Sequence, residues 1–298
     1  MRGLNPDHLH SFAAVIEHGS FSVAADHLHL TQPAVSLQIK QLERRLGVAL
    51  IERVGRRAAP TAAGTELLAH VRRIDGALAD ALEAMAGHAT TVSGRVRVGT
   101  GGTACTYLLP PLLRDLRQRF PALEIVVFTG NTGDHLKALE ENAIDVGLLT
   151  LPVPGRGFQV TPVLEDEFVA VFAAGEERIP AAATPAALSQ LPVVLEDPGA
   201  TSRDIVEAWF LRGGRRVKPV MELGHVEAMK RLVSAGLGCS ILPRMAVTAD
   251  GKRDGLVVRP LVPRLSRRIG VVLRRDKLLQ RGLRELVNAL LAIDPKPR

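Results

Sequence analysis

Aromatic residues are scarce in this chain of 298 residues, at 3% of the total, with one Trp (Trp209) and one Tyr (Tyr107). That argues against the aromatic platforms on which single-stranded bases stack, and it leaves Leu, Val, Ala and Ile to build the cores. Cysteine is almost as rare. Cys105 and Cys239 allow one disulfide at most, so a secreted disulfide framework is excluded. No run of about 18 uncharged apolar residues occurs, and the opening MRGLNPDHLHSF holds no apolar signal stretch, so no membrane partner and a cytoplasmic location are expected. A nucleophile elbow G-x-S-x-G, a phosphate loop and a cluster with metal-ligand spacing are all missing. Neither cysteine has a histidine nearby to activate it, and both are expected as buried, inert thiols. Catalytic residues, metal and cofactor are accordingly not expected.

What is present is an ordinary globular composition, 46% hydrophobic and 23% charged, in a length that favours two or three domains. The net charge of +7 and the basic isoelectric point direct attention to nucleic acid. Its distribution does not follow. Residues 1–61 carry seven basic and five acidic side chains, residues 62–91 two and four, and the remainder 29 and 22. Any case for DNA binding at the N-terminus therefore rests on geometry.

Asn5-Pro6 is a helix start, a capping side chain followed by a proline whose missing N–H costs nothing in the first turn. Leu9, Phe12, Ala13 and Ile16 recur at helical spacing before Gly19. Ser20 caps a second helix to about Leu28, where Ala24 and Ala25 permit close helix approach. Thr31 caps a third, with Pro33 in its first turn and Val35, Ile39, Leu42 and Leu46 as its buried stripe. Three short helices with tight turns suggest a helix-turn-helix. The third helix presents Gln32, Ser36, Gln38, Lys40 and Gln41 on its other face, side chains able to bond base edges and phosphates, although a merely solvated polar face has the same composition. The segment from Leu50 through Arg53, Arg56 and Arg57 to Thr61 reads as an arginine-tipped hairpin suited to gripping the DNA backbone.

The run SFSVAADHLHLTQPAVSLQIKQLERRLGVALIERVGRRAAPTAAG resembles the LysR-type transcriptional regulators, through Ala-Ala in helix two, T-Q-P-A-V-S at the turn, I-K-Q-L-E-R-R-L-G after it, the arginine-bearing wing and T-x-A-G. The resemblance implies DNA contacts at Ser22, Thr31, Gln32, Pro33, Ser36, Gln38, Lys40, Arg53, Arg56 and Arg57. Leu37 departs from the pattern, standing where the family often has Arg. The repeated DHLH at 7–10 and 26–29 is not read as a metal site, because histidines at i and i+2 diverge by about 200° around a helix; surface or phosphate-proximal positions suit them better.

Thr61 then caps a long helix to about Gly87. Leu67, Val71, Ile74, Leu78, Ala81 and Met85 step by four and three, the seam of a coiled coil, so the stripe needs a partner or must dock on its own effector domain. By the resemblance, such helices pair two subunits antiparallel, and the dimer or tetramer presents two recognition helices to a partly palindromic promoter site. Thr90–Gly94 reads as a hinge.

Beyond it, strand and helix patterns alternate: strands at Arg95–Gly99, Glu124–Thr129, Asp145–Leu149, Phe168–Phe172, Val193–Leu195, Val220–Glu222, Ser240–Leu242 and Arg268–Leu273. Helices lie between, at Tyr107–Phe120, Asp134–Glu141, Ala186–Gln190, Arg203–Arg212 and Val226–Ala235, and Gln280–Ala292 closes the chain. That order implies a parallel sheet covered by helices. V-G-T-G-G-T-A at 98–104 mimics a dinucleotide fingerprint, but the second strand ends Val127-Phe128-Thr129 without the acidic residue that would hold a ribose. Instead L-L-P-P-L-L-R-D-L-R-Q-R-F-P, T-G-N-T, I-D-V-G-L-L-T and V-S-A-G-L-G-C-S-I-L-P resemble landmarks of the LysR effector domain, which is like a type 2 periplasmic binding protein. The expected protein is therefore multidomain: an all-α winged helix-turn-helix at 1–61, a linker helix and hinge at 62–91, and a two-lobed α/β effector domain at 92–298. Lobe I would comprise 92–161 and 267–298, and lobe II 162–266, with crossing strands near Thr150–Pro162 and Leu261–Arg268.

Strand ends and helix starts around the implied cleft supply Thr100, Thr103, Asn131, Thr132, Thr150, Thr201, Ser202 and His225 as candidate ligands for a small, anionic effector. Plain helix capping would also explain such residues. The expected function is a sequence-specific transcriptional regulator whose partners are promoter DNA, itself, a small-molecule effector and RNA polymerase. A solute-binding or enzymatic α/β protein with an incidental helical extension leaves the wing arginines and the T-Q-P turn unexplained, and a nucleoid-type protein would show little sequence preference. The late arginines, Arg264, Arg267, Arg268, Arg274, Arg275, Arg281 and Arg284 with Lys277, are read first as a solvated face, with non-specific DNA attraction, acidic effectors or a neighbouring subunit as the alternatives.

Overall fold

The computed structural model describes residues 4–55, 57–86, 92–248 and 255–293. It divides into two compact units, Met1–Ala81 with Glu141–Ala143, and Leu82–Glu140 with Ile144–Arg298. In the first unit α1 (Pro6–His18) starts where the Asn5 side chain accepts from the Asp7 amide, and stops at Gly19, whose φ of +64° a side chain would strain. Ser20 caps α2 (Phe21–His27), and Thr31 caps α3 (Gln32–Leu46), which ends at Gly47. Phe12, Val15, Ala24, Ala25, Val35, Ile39, Leu42 and Leu50 form the core; each large side chain contributes about 1.5–3 kcal/mol on burial. The hairpin of β1 (Ile51–Val54) and β2 (Arg57–Pro60) pairs Ile51 with Pro60.

The long helix α4 (Ala62–Ala86) follows, its first turn held by Thr61, whose hydroxyl accepts from the Gly64 amide and donates to the Ala49 carbonyl. Its apolar seam is divided. Leu67 and the fully buried Val71 pack into the three-helix core, whereas Ile74 and Leu78 stay 38% and 46% exposed. Two of the six positions that periodicity assigns to another surface are thus covered by the helix-turn-helix. The side chain of Met85 and the expected hinge residues Thr90 and Thr91 lie outside what is described.

The second unit runs β3 (Gly94–Thr100), α5 (Gly102–Tyr107), α6 (Leu109–Arg119), β4 (Leu123–Thr129), α7 (Thr132–Glu140), β5 (Val146–Leu151), β6 (Phe158–Ala173), α8 (Pro185–Leu188), β7 (Val193–Glu196), α9 (Thr201–Arg212), β8 (Met221–Leu223), α10 (Val226–Ser234), β9 (Cys239–Pro243), α11 (Met245–Thr248), β10 (Leu256–Pro260), β11 (Ser266–Arg274) and α12 (Arg281–Leu291). Among the described residues the strands follow the order β4-β3-β5-β11-β6-β9-β7-β8, with β10 against β6. The pairs β4-β3-β5 and β9-β7-β8 are parallel, and the long antiparallel strands β6 and β11 join them. One core, around Val98, Leu109, Leu116, Leu148, Val271 and Leu286, fills lobe I. Another, around Phe168, Phe172, Trp209 and Phe210, fills lobe II.

The strand expected at Phe168–Phe172 is the second half of the 16-residue β6. Ahead of that stretch β6 contains Pro162 and the polar run Glu165–Glu167, which read against a strand. A register shift between Ile269 and Gly270 of β11, opposite Leu164 and Pro162, leaves Val163 as an extra residue and accommodates the proline. Within the described residues no helix is long and apolar enough to cross a membrane.

Candidate nucleic-acid interface and effector cleft

In the first unit α3 and the hairpin border a groove of about 500 Å³, lined by Ser20, Ser22, Gln32, Ser36, Lys40, Glu43, Arg53 and Arg57 among others. Gln32 Nε2 donates to Ser36 Oγ at 2.9 Å, so the two side chains are held together on the surface. Lys40, Arg53 and Arg57 are exposed beside them. Glu43, unremarked in the sequence, sets the geometry: its Oε1 accepts from the Leu50 amide at 2.8 Å and the Ile51 amide at 3.3 Å, tying the end of α3 to the start of β1. On the other strand the Ala58 amide donates to the Gly19 carbonyl at 2.9 Å. Polar groups that can bond base edges and cations that can hold phosphates thus share one rigid frame.

Most of the expected DNA contacts are brought together there, with three qualifications of detail. Thr31 serves as the cap of α3, its hydroxyl accepting from the Ala34 amide, and Pro33 is exposed in the first turn. Gln38 is turned back: Ser11, buried on α1, donates to its Oε1 at 2.5 Å, which takes the amide away from the outward face. Arg56 lies outside the described residues. Of the repeated histidines, His10 meets Asp75 of α4 at 2.7 Å, and the His27 ring lies with its centroid 4.9 Å from that of His18 on α1. No group of three or more metal-ligating side chains is found among the described residues.

In the second unit the parallel registers Thr100↔Thr129 and Thr100↔Leu148 bring Thr100, Asn131, Thr132 and Thr150 to one edge of lobe I, at the carboxyl ends of its strands. In lobe II the parallel pairing Glu196↔Leu223 sends β7 and β8 out at the same edge of the sheet, from which the chain leads to Thr201 and Ser202 of α9 and to His225 before α10. Thr100 is fully buried, and its hydroxyl donates to the Leu148 carbonyl at 2.9 Å; Thr103 is buried at the start of α5. Asn131 is a true cap, accepting from the Asp134 amide at 2.8 Å. By contrast α9 and α10 begin with no side-chain cap, Thr201 and Ser202 lying inside the first turn of α9 and His225 making no capping bond. Their first amides keep their donor capacity for another acceptor.

Arg267, from the supposed solvated face, is buried. It donates through Nε to Asp166 at 3.1 Å and through Nη1 to Ser202 Oγ at 3.1 Å, and Nη2 lies 3.0 Å from Asp166. Burial raises the Asp166 pKa despite that guanidinium. It raises the Glu196 pKa too, with a smaller push from Asp197 and against the charge of Arg267. A polar cluster therefore underlies the start of α9, and the run of late arginines gave no sign that one of them was internal. Across the lobes, Tyr107 packs against the core of lobe II; its hydroxyl contacts Glu227 and accepts from Lys230 Nζ at 3.0 Å. The glycines of V-G-T-G-G-T have separate uses: a Cβ on Gly99 would lie 2.6 Å from His135 Nδ1, whereas Gly101 and Gly102 open onto free space. Both cysteines are free; Cys239 is buried as expected, and burial pushes its thiol up to about 12, whereas Cys105, expected to be buried, is only half-buried on α5.

Two family models match: "Bacterial regulatory helix-turn-helix protein, lysR family" over residues 6–65 and "LysR substrate binding domain" over 89–293. A probable hydrogen peroxide-inducible genes activator of Mycobacterium avium is 32% identical over 289 residues, 95% of this chain and 92% of that protein. The HTH-type transcriptional regulator CbbR of Rhodospirillum rubrum is 34% identical over 256 residues, 85% of each. Among solved structures, a full-length OxyR point variant from Pseudomonas aeruginosa is similar with a TM-score of 0.75 at 22% identity, covering 99% of this chain and 100% of that one. Full-length CbnR in complex with its target DNA is similar with a TM-score of 0.72 at 23% identity, covering 96% and 98%.

Proposed function

The chain belongs to the LysR-type transcriptional regulators, and from that premise we propose how its own residues divide the work. It is a DNA-binding regulator that oligomerises and binds a small-molecule effector, and it is not an enzyme. We place it in the cytoplasm, with promoter DNA and RNA polymerase as partners. The observation that carries the reading is the groove between α3 and the hairpin, where Gln32 and Ser36 are already bonded to each other between exposed cations. Gln32 and Ser36 meet base edges, while Ser22, Lys40, Arg53 and Arg57 hold phosphates; Thr31 and Pro33 set the start of the recognition helix. Residues 1–61, 62–91 and 92–298 act as reader, coupling helix and sensor.

The sensor takes a small organic anion. The uncapped starts of α9 and α10 supply amide donors, and we assign Thr103, Asn131, Thr132, Thr150, Thr201, Ser202 and His225 to the effector with them; Thr100, also expected there, is buried with its hydroxyl spent on the Leu148 carbonyl.

Selection of duplexes from a random library by the full-length protein tests the reading. A discrete, partly palindromic site is expected; affinity equal to bulk DNA would refute it. On that site Ser36→Ala should relax base preference, whereas Arg57→Ala should weaken all sequences alike and shallow the salt dependence. For the sensor, a melting screen against organic acids should find one that stabilises, since ligand at about 100 times its Kd contributes about 2.7 kcal/mol.

A further inference from the structure

One aliphatic side chain stands in the middle of α3 on the side away from the core. Val35, Ile39 and Leu42 are buried in the core of the first unit, and Leu37 lies about 170° around the helix from the centre of that stripe. It is 56% exposed, the most open apolar side chain of α3, the other being Leu46 at the helix end with 38%. Pro33 is exposed one turn before it, Lys40 one turn after it, and Ser36 adjoins it. Gln38, the next polar residue, is held back on α1 by Ser11. At 100° per residue Gln32, Ser36 and Lys40 follow one another along one side of α3, and Leu37 lies about 60° beyond Lys40, at the pole opposite the buried stripe.

A helix in the major groove meets donors, acceptors and one apolar feature, the C5-methyl group of thymine. A leucine has no polar atom with which to satisfy a base donor or acceptor, and pressing it against one would strip that group of water at a cost. The thymine methyl is the one base-edge partner that rewards it. We propose that Leu37 is a specificity-determining residue that packs on the methyl group of a thymine in each half of the operator. This inference rests on α3 being the recognition helix.

The test uses the full-length protein and the site it selects from random duplexes, with each thymine replaced in turn by deoxyuridine, which lacks only the methyl. One thymine per half-site should be sensitive, with binding weakened about fourfold for each methyl lost. Leu37→Met should keep that sensitivity. Leu37→Ala should bind the thymine and deoxyuridine duplexes alike, with an unchanged melting temperature because the side chain is exposed. The proposal is overturned if no thymine is methyl-sensitive, or if Leu37→Ala retains the sensitivity. In either case a discrete site still stands and the regulator reading survives; failure to select any discrete site would remove both.

Discussion

Gly64→Ala should uncouple α4 from the rest of the DNA-binding unit. A Cβ at this position would stand 2.1 Å from the Leu50 carbonyl oxygen, 3.1 Å from its carbon and 3.2 Å from Pro60 Cβ. Ordinary contact begins at 3.4 Å, so the helix must retreat by about 1.3 Å from a rigid backbone group. That shift falls on the hydrogen bonds of the same corner, Thr61 N to Leu50 O at 3.0 Å and Thr61 Oγ1 to Ala49 O at 2.8 Å. Overpacking costs about 1–3 kcal/mol and a weakened hydrogen bond about 1 kcal/mol, while alanine returns up to about 1 kcal/mol of helix propensity. The net loss is about 2–3 kcal/mol. Gly102→Ala is the matched control: it too lies in the first turn of a helix, but nothing stands within 4 Å of the added atom, so a gain of about 0.5 kcal/mol is expected. Hydrogen exchange read on peptides covering α1 and α3 resolves the first unit from the second. Their slowest amides should exchange about thirty- to 150-fold faster in Gly64→Ala. Exchange within twofold of the parent, or a comparable loss from Gly102→Ala, would refute the steric argument.

Asp145→Asn should cost the second unit about 3–5 kcal/mol, because the buried carboxylate bonds the Arg97 guanidinium at 2.8 and 3.1 Å and Lys277 Nζ at 2.9 Å. Burial works to raise the Asp145 pKa, but Arg97 and Lys277 outweigh it and hold the group below its usual range. The contribution is therefore complete above the unfolded value of about 3.9 and disappears as pH falls through the lower folded value. Melting temperatures of mutant and parent should differ at pH 7 and converge only in strong acid; a constant difference throughout would contradict the assignment. His29, between α2 and α3, has a φ of +55°, so His29→Asn should melt within about 0.5 kcal/mol of the parent while His29→Val loses about 1–2 kcal/mol. Equal melting of the two variants would show that the backbone relaxes there.

The parts of this protein that could be read from sequence are those governed by local chemistry. Asn5-Pro6 and Gly19 bound α1 because a cap, a missing donor and a left-handed φ each act within a few residues. Features decided by a distant partner were hidden. Pro162 sits inside β6 because of an irregularity opposite it on β11, more than a hundred residues away. Arg267 looked like one of a run of surface arginines until Asp166 and Ser202 closed around it. Gln38 had the right chemistry for DNA and the right helix, but its angle on that helix favours Ser11. Even the heptad seam of α4 was real as a pattern and divided in its use, since Val71 belongs to the core while Ile74 and Leu78 do not.

The Glu43 carboxylate, accepting from both Leu50 and Ile51, makes α3 and the hairpin a calliper of fixed span. With the roles proposed above, the distance between a base met by Gln32 and a phosphate held by Arg57 would then be a constant of the protein. A duplex whose groove does not match that span must itself widen, narrow or bend, and the energy for doing so depends on its own sequence. Base pairs that no side chain touches would still be selected, by their stiffness, and Glu43 would shape operator preference without approaching the DNA.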